Sequence, residues 1–159
     1  MPNLQKKGYT LIELLVGMVI MSILFSIGYA SFREYSRRQV LVSFTRKVKG
    51  DLSLAREMSI SGEKPSTFFC DSPNTLSGYN FRVISNESYI VEALCSGGIV
   101  QIKEVSVEDD LSLNVPENPV FFKVLSKGTN LSSDIEVKIT QKSTGNISSV
   151  YVTQSGEIK

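Results

Sequence analysis

The chain has 159 residues, with 17 Lys plus Arg, 16 Asp plus Glu, no His and a formal net charge of +1. That length holds one sizeable core, and 42% apolar with 21% charged residues excludes wholesale disorder. Without His, a His-based triad, a His-ligated zinc site and a His general base are excluded, and the near-balance of charge gives no global pull toward nucleic acid.

The average hides an asymmetry. Residues 1–64 carry ten basic and five acidic side chains, and residues 65–159 carry seven and eleven. From Tyr9 to Phe32 run 24 residues with one charge, Glu13. As a helix this stretch is about 36 Å long, enough to cross a hydrocarbon core of about 30 Å. Lys6 and Lys7 precede it, and the positive-inside rule keeps them cytoplasmic. Arg33, Arg37 and Arg38 follow it, so the bias is contested. A secretory signal is the alternative, but its apolar region is usually about 7–15 residues, ends in a small-residue cut site and holds no acid.

Glu13 costs about 2.5 kcal/mol or more at mid-membrane, and less near an end. Snorkelling to the interface is one solution. A cut between Gly8 and Tyr9 supplies another, because it places a new α-ammonium one helical turn before the acid and allows opposite charges to pair.

Lys6-Lys7-Gly8-Tyr9-Thr10-Leu11-Ile12-Glu13-Leu14-Leu15-Val16 resembles the class III signal sequence of type IV pilins and type II secretion pseudopilins. The resemblance implies cleavage after Gly8 by a prepilin peptidase and N-methylation of Tyr9. It also implies an assembly role for Glu13, pairing with a neighbour's N-terminus. Residues 1–8 would be a cleaved leader and 9–32 a transmembrane and filament-core helix. The other implied partners are further pilin or pseudopilin subunits, an inner-membrane assembly platform and the membrane itself. The mature chain would cross the cytoplasmic (inner) membrane once, with its C-terminal part periplasmic or extracellular. Tyr9 stands where Phe is commoner, and Ala30 where major pilins often have Pro.

Beyond Phe32, Val40, Leu41, Phe44, Val48, Leu52, Ala55 and Met58 recur at three- and four-residue steps, with Arg37, Arg46, Lys47, Lys49 and Arg56 on the other face. One helix is expected from about Tyr9 to Ile60, its amphipathic continuation occupying 33–64. Gly62 and Pro65 stop it, and Gly50 permits a bend. Eight β-like runs follow: Thr67–Cys70, Tyr79–Ile84, Tyr89–Leu94, Ile99–Val107, Leu111–Val115, Val120–Leu125, Ile135–Thr140 and Val150–Thr153. Turn clusters such as Ser85-Asn86-Glu87-Ser88 and Ser126-Lys127-Gly128 separate them. The expected class is α+β, a long N-terminal helix packed on an antiparallel β domain over 65–159. The stretch from Val120-Phe121-Phe122 to Val150-Tyr151-Val152-Thr153-Gln154-Ser155-Gly156 also resembles the GspH/FimT-like minor pseudopilin domain.

Cys70 and Cys95 are the only cysteines. In a reducing compartment they read as separate buried thiols, and two ligands do not close a zinc site. Outside the membrane a disulfide is permitted and expected. Glu108, Asp109 and Asp110 read as a solvated turn sooner than a calcium site, since no EF-hand pattern surrounds them. The serines have no base placed by a motif, so no enzyme and no cofactor is expected. A structural minor pseudopilin or minor pilin, seated at filament initiation or tip, is the first functional reading. The alternatives are a DNA-binding minor pilin, disfavoured by the acidic C-terminal part, and a major pilin.

Overall fold

The computed structural model describes residues 9–125 and 128–159. Residues 1–8, the expected leader with Lys6, Lys7 and Gly8, and the Ser126-Lys127 pair of the turn cluster lie outside the described residues. The chain divides into two units, Met1–Val40 and Leu41–Lys159.

One helix, α1 (Leu11–Ser61), runs for 51 residues. It starts at Thr10, whose carbonyl accepts the Leu14 amide at 3.2 Å. It stops where Gly62 takes φ +65°, a left-handed turn that costs glycine nothing, and the Glu63 amide returns to the Met58 carbonyl at 3.3 Å.

Seven strands follow: β1 (Leu76–Ser85), β2 (Ser88–Cys95), β3 (Gly98–Ser106), β4 (Leu111–Asn114), β5 (Val120–Lys123), β6 (Ile135–Gln141) and β7 (Ile147–Val152). They form a four-stranded sheet in the order β3-β2-β1-β5 and a three-stranded sheet in the order β4-β6-β7. Every pairing is antiparallel. The α+β class and the long helix packed on antiparallel sheets are as the sequence indicates.

One expected strand is corrected. Thr67–Cys70 is a run of turns, with the Cys70 and Asp71 amides both donating to the Thr67 carbonyl at 2.9 and 3.0 Å. Such local bonds close a coil over residues that have strand-like side chains. β5 also ends early, at Lys123, because Leu125 adopts φ 57°, which no strand accommodates.

Within Leu41–Lys159 the predicted stripe is the core face of the helix. Leu41, Phe44, Val48, Leu52 and Ala55 are buried, as are Tyr79, Phe81, Tyr89, Val91 and Ala93 of the larger sheet. Leu111, Leu113, Val137, Ile139, Val150 and Val152 of the smaller sheet are buried too. The Phe44 ring meets Tyr89 edge-on, with centroids 6.4 Å apart. At the other end Tyr79 donates its hydroxyl to the Glu63 carbonyl, and the Leu125 amide donates to the Ser59 carbonyl. β1 therefore runs from the Ser61 end of the helix back toward its Leu41 end. Two poles of this unit follow from that direction. The β1–β2 turn lies at the Leu41 pole. The Thr67–Thr75 coil and the β2–β3 turn lie at the Ser61 pole.

Candidate functional site

The N-terminal segment concentrates the chain's unusual chemistry. Tyr9 is 80% exposed, and the apolar residues from Leu11 to Phe32 whose burial is described are all exposed. This half of the helix is apolar on every side, which suits a lipid or helix-bundle environment and not a water-facing stripe. Its most apolar 18-residue window has a mean hydropathy of 2.3, and the helix is long enough to cross a membrane. Two serines of this half satisfy their own hydroxyls within the helix. Ser22 donates to the Met18 carbonyl at 2.8 Å and Ser26 to the Ser22 carbonyl at 2.9 Å.

Past Phe32 the side chains begin to pair with one another. The Arg33 guanidinium lies 5.9 Å from the Tyr29 ring centroid, Arg38 bonds Glu34 at 2.7 Å, and Gln39 bonds the Tyr35 hydroxyl at 2.8 Å. Aromatic and cationic residues in this order match a membrane–water boundary.

Glu13 belongs to a device the sequence reading missed. The Glu13 amide donates to Thr10 Oγ1 at 3.4 Å, and the Thr10 amide and hydroxyl both donate to Glu13 Oε2 at 3.4 Å. This is a capping box, Thr at the N-cap and Glu three residues later. All three bonds are long, so the carboxylate is loosely held and open to a stronger partner. The signal was legible as Thr-x-x-Glu before an apolar run.

Two further carboxylates escaped the sequence reading, and both bind the β unit together. Asp51, on the buried face of the helix, accepts from Tyr89 Oη at 2.7 Å and from Lys103 Nζ at 2.6 Å. Burial, then the Asp51 hydrogen bond and charge, pushes the Tyr89 phenol well above its ordinary pKa. Glu92 is buried on β2 and takes both Arg82 Nε at 3.0 Å and Arg82 Nη2 at 2.9 Å, with Asn80 Nδ2 at 3.2 Å. Burial pushes the Glu92 carboxyl up, but the Arg82 and Asn80 hydrogen bonds and the Arg82 charge outweigh it and hold the carboxyl low. Asp51 falls within the apolar stripe, and Glu92 interrupts the run Tyr89–Leu94. A charge inside an otherwise apolar pattern was the available signal.

Cys70 and Cys95 are joined by a disulfide, with Cα atoms 5.3 Å apart. It ties the Thr67–Thr75 coil to the end of β2. Asp110 accepts from the Gln141 side chain, the Ser143 amide and the Ser143 hydroxyl at 2.7–2.9 Å, so it organises a turn. Among the described residues no group of three acidic or Cys side chains is arranged to hold a metal. A cavity of about 30 Å³ beside Arg56, Ser59, Lys123 and Gly156 has room for water and not for a cofactor.

The family described as prokaryotic N-terminal methylation motif matches residues 3–29. The chain carries that motif. The match covers residues 3–8, Tyr9, the Thr10–Glu13 box and most of the apolar half of α1. The match supports a type IV pilin-like chain and does not extend to the β unit. No curated protein and no solved structure matches this chain.

Proposed function

We propose that the chain is a structural subunit of a pilin-like filament, matured by cleavage after Gly8 and methylation of the Tyr9 amine. The observation that carries this is the methylation motif, joined to the apolar half of α1 up to Phe32, whose one charge is a carboxylate in its first turn. In lipid the helix anchors the precursor. In a filament the same apolar surface packs against other helices, and Glu13 leaves its long bonds to Thr10 for a neighbour's ammonium. An unpaired acid is expelled toward the interface, whereas a paired one is tolerated in hydrocarbon, so the pairing selects axial register. Residues 33–159 then stand on the periplasmic or extracellular side, where the Cys70–Cys95 bridge persists. A GspH/FimT-type minor pseudopilin or minor pilin is the finer assignment, resting on the C-terminal sequence resemblance. The function is assembly, with no catalytic step.

The test is the intact mass of the chain extracted from membranes of cells that express a prepilin peptidase. Residues 9–159 plus one methyl group are expected. A mass that retains Met1–Gly8, or a cut near residue 30, overturns the proposal. Replacing Gly8 with a bulky residue is expected to leave uncut precursor in the membrane.

A further inference from the structure

A cationic cluster stands on the flank of the apolar run where the positive-inside rule calls for none. Arg33, Arg37 and Arg38 follow Phe32 closely, and Glu34 is the one carboxylate between Glu13 and Asp51. Three arginines and one carboxylate leave residues 33–38 with a net charge of +2. Arg38 is engaged by Glu34 at 2.7 Å. Arg33 and Arg37 are one helical turn apart, and like charges at that spacing repel.

These two arginines continue an aromatic ridge. Phe25, Tyr29, Arg33 and Arg37 recur at four-residue steps and so line up along one row of the helix surface. The Arg33 guanidinium lies over the Tyr29 ring, 5.9 Å from its centroid. Stacking uses the face of the guanidinium and leaves its in-plane N–H donors for an anion. Beside this row an open apolar groove is lined by Met21, Leu24, Phe25, Tyr29 and Phe32.

Depth selects the anion. The headgroup layers add about 5–7 Å to each side of a hydrocarbon core about 30 Å thick. At about 1.5 Å per residue, residues 33–38 lie about 2–9 Å past Phe32, which is the depth of the phosphates. Arg33 also follows Glu13 by 20 residues, a rise of about 30 Å, or one core thickness. A helix held at Arg33 in the far phosphate layer therefore keeps Glu13 at the near boundary, where a carboxylate costs least. A lipid phosphodiester is fixed at this depth and brings acyl chains that suit the groove. A free phosphate ion has neither property.

We infer that Arg33 and Arg37 hold the phosphate of an acidic phospholipid in the leaflet at the Phe32 end of α1, with an acyl chain along Phe32, Tyr29 and Phe25. The lipid sets the depth of the helix and, through it, the position of Glu13. An acidic lipid is favoured over a zwitterionic one, whose own ammonium already neutralises its phosphate. The inference rests on the membrane anchoring proposed above and does not require assembly into a filament.

The test incorporates the full-length chain into phosphatidylcholine vesicles. Electron paramagnetic resonance then compares how much spin-labelled phosphatidylglycerol and spin-labelled phosphatidylcholine the protein immobilises. A Lys6→Gln/Lys7→Gln background removes the other basic flank from the comparison. The expected result is a preference for phosphatidylglycerol of about fivefold or more, falling below about twofold in Arg33→Gln/Arg37→Gln. Arg33→Lys/Arg37→Lys keeps the charge and should keep most of the preference, and Glu34→Gln, which releases Arg38, should raise it. Millimolar inorganic phosphate is expected to leave it unchanged. Displacement of the lipid by phosphate would reveal a plain anion site and overturn the inference. Equal immobilisation of the two lipids, or a preference that survives Arg33→Gln/Arg37→Gln, overturns it too and leaves the anchoring intact. If the double variant keeps the lipid preference but no longer co-purifies with pilin-like subunits, the arginines serve a protein carboxylate and the inference falls. A chain that carbonate washes from the vesicles overturns the anchoring as well.

Discussion

The Tyr89 hydroxyl donates to Asp51 Oδ2 at 2.7 Å, joining helix to sheet across 38 residues of sequence. Lys103 reaches the other oxygen of the same carboxylate at 2.6 Å. The helix is thus held to β2 and β3 by directional bonds as well as by apolar burial. Removing Asp51 would strand a buried phenol and leave Lys103 without its counter-ion. We predict that Asp51→Ala destabilises residues 33–159 by about 3 kcal/mol. At this size that lowers the melting temperature by about 10 °C. Asp51→Asn, which keeps an acceptor for Tyr89, should recover part of the loss. A drop below about 1 kcal/mol in chemical denaturation would show that packing alone sets the helix position.

The same packing predicts two contrasting truncations. Removing residues 1–32 leaves the stripe Leu41–Ala55 on its sheet, so a folded, soluble β-rich domain is expected. Removing residues 1–64 strips the cover from Tyr79, Phe81, Tyr89 and Val91, all buried in the full chain, and aggregation is expected. Size-exclusion chromatography of the two proteins checks this. Equal solubility of both would mean that the helix is dispensable to the core.

The disulfide closes a segment with a sequence separation of 25. By chain entropy it contributes about 3–4 kcal/mol. Cys70→Ser is therefore expected to lower the melting temperature only under oxidising conditions. Identical melting of the wild type with and without reductant would show that the bridge does not contribute. The variant also frees the Phe68–Phe69 coil, so faster proteolysis between Lys64 and Asn74 should accompany the loss of stability.

The long helix, its stop at Gly62 and seven of the eight expected strands were legible because period and turn chemistry agree locally with the fold. Thr67–Cys70 misled because its side chains favour strands while its backbone is committed to local turns and a covalent tie. A tie of that kind is a tertiary constraint with no periodic trace. Thr10 and Glu13 were each visible, yet the acid's charge drew notice away from its spacing to the threonine. Asp51 and Glu92 were hidden for another reason. Composition counts a carboxylate as surface, and only the apolar residues on either side reveal that it lies inside.

Glu92 gives a pH dependence with a definite sign. Its carboxyl is held below the usual 4.5, so at a mildly acidic pH the unfolded chain binds more protons than the folded one. The stabilisation is complete above about pH 4.5 and is lost as pH falls through the lower folded value. We predict that Glu92→Gln destabilises the domain at pH 7 by about 2 kcal/mol, because Arg82 loses its charged partner. The gap between variant and wild type should narrow as pH falls below about 4.5 and through the lower folded value. Denaturation curves across that range measure it. A gap that stays constant would mean that the Arg82–Glu92 pair does not set the acid response.

Thr10 and Glu13 separate two roles for one carboxylate. As a helix cap, Glu13 needs only an acceptor oxygen, and Gln supplies one; as a charge partner for a neighbour's ammonium, it needs the negative charge. Thr10→Val keeps the charge and removes the N-cap hydroxyl, which costs helix initiation about 1 kcal/mol. Glu13→Gln keeps the cap and removes the charge. Glu13→Leu removes both and suits the membrane better than the wild type. All three are expected to insert and to be cleaved after Gly8, because the site of cleavage precedes them. If the charge selects register, Thr10→Val assembles with a modest loss, and Glu13→Gln fails nearly as fully as Glu13→Leu. If the cap is what matters, Glu13→Gln assembles like the wild type and Thr10→Val is the defective one. Co-purification of each variant with other pilin-like subunits, at equal membrane levels, reads the order. Assembly of Glu13→Gln at the wild-type level would reduce Glu13 to a helix-capping residue.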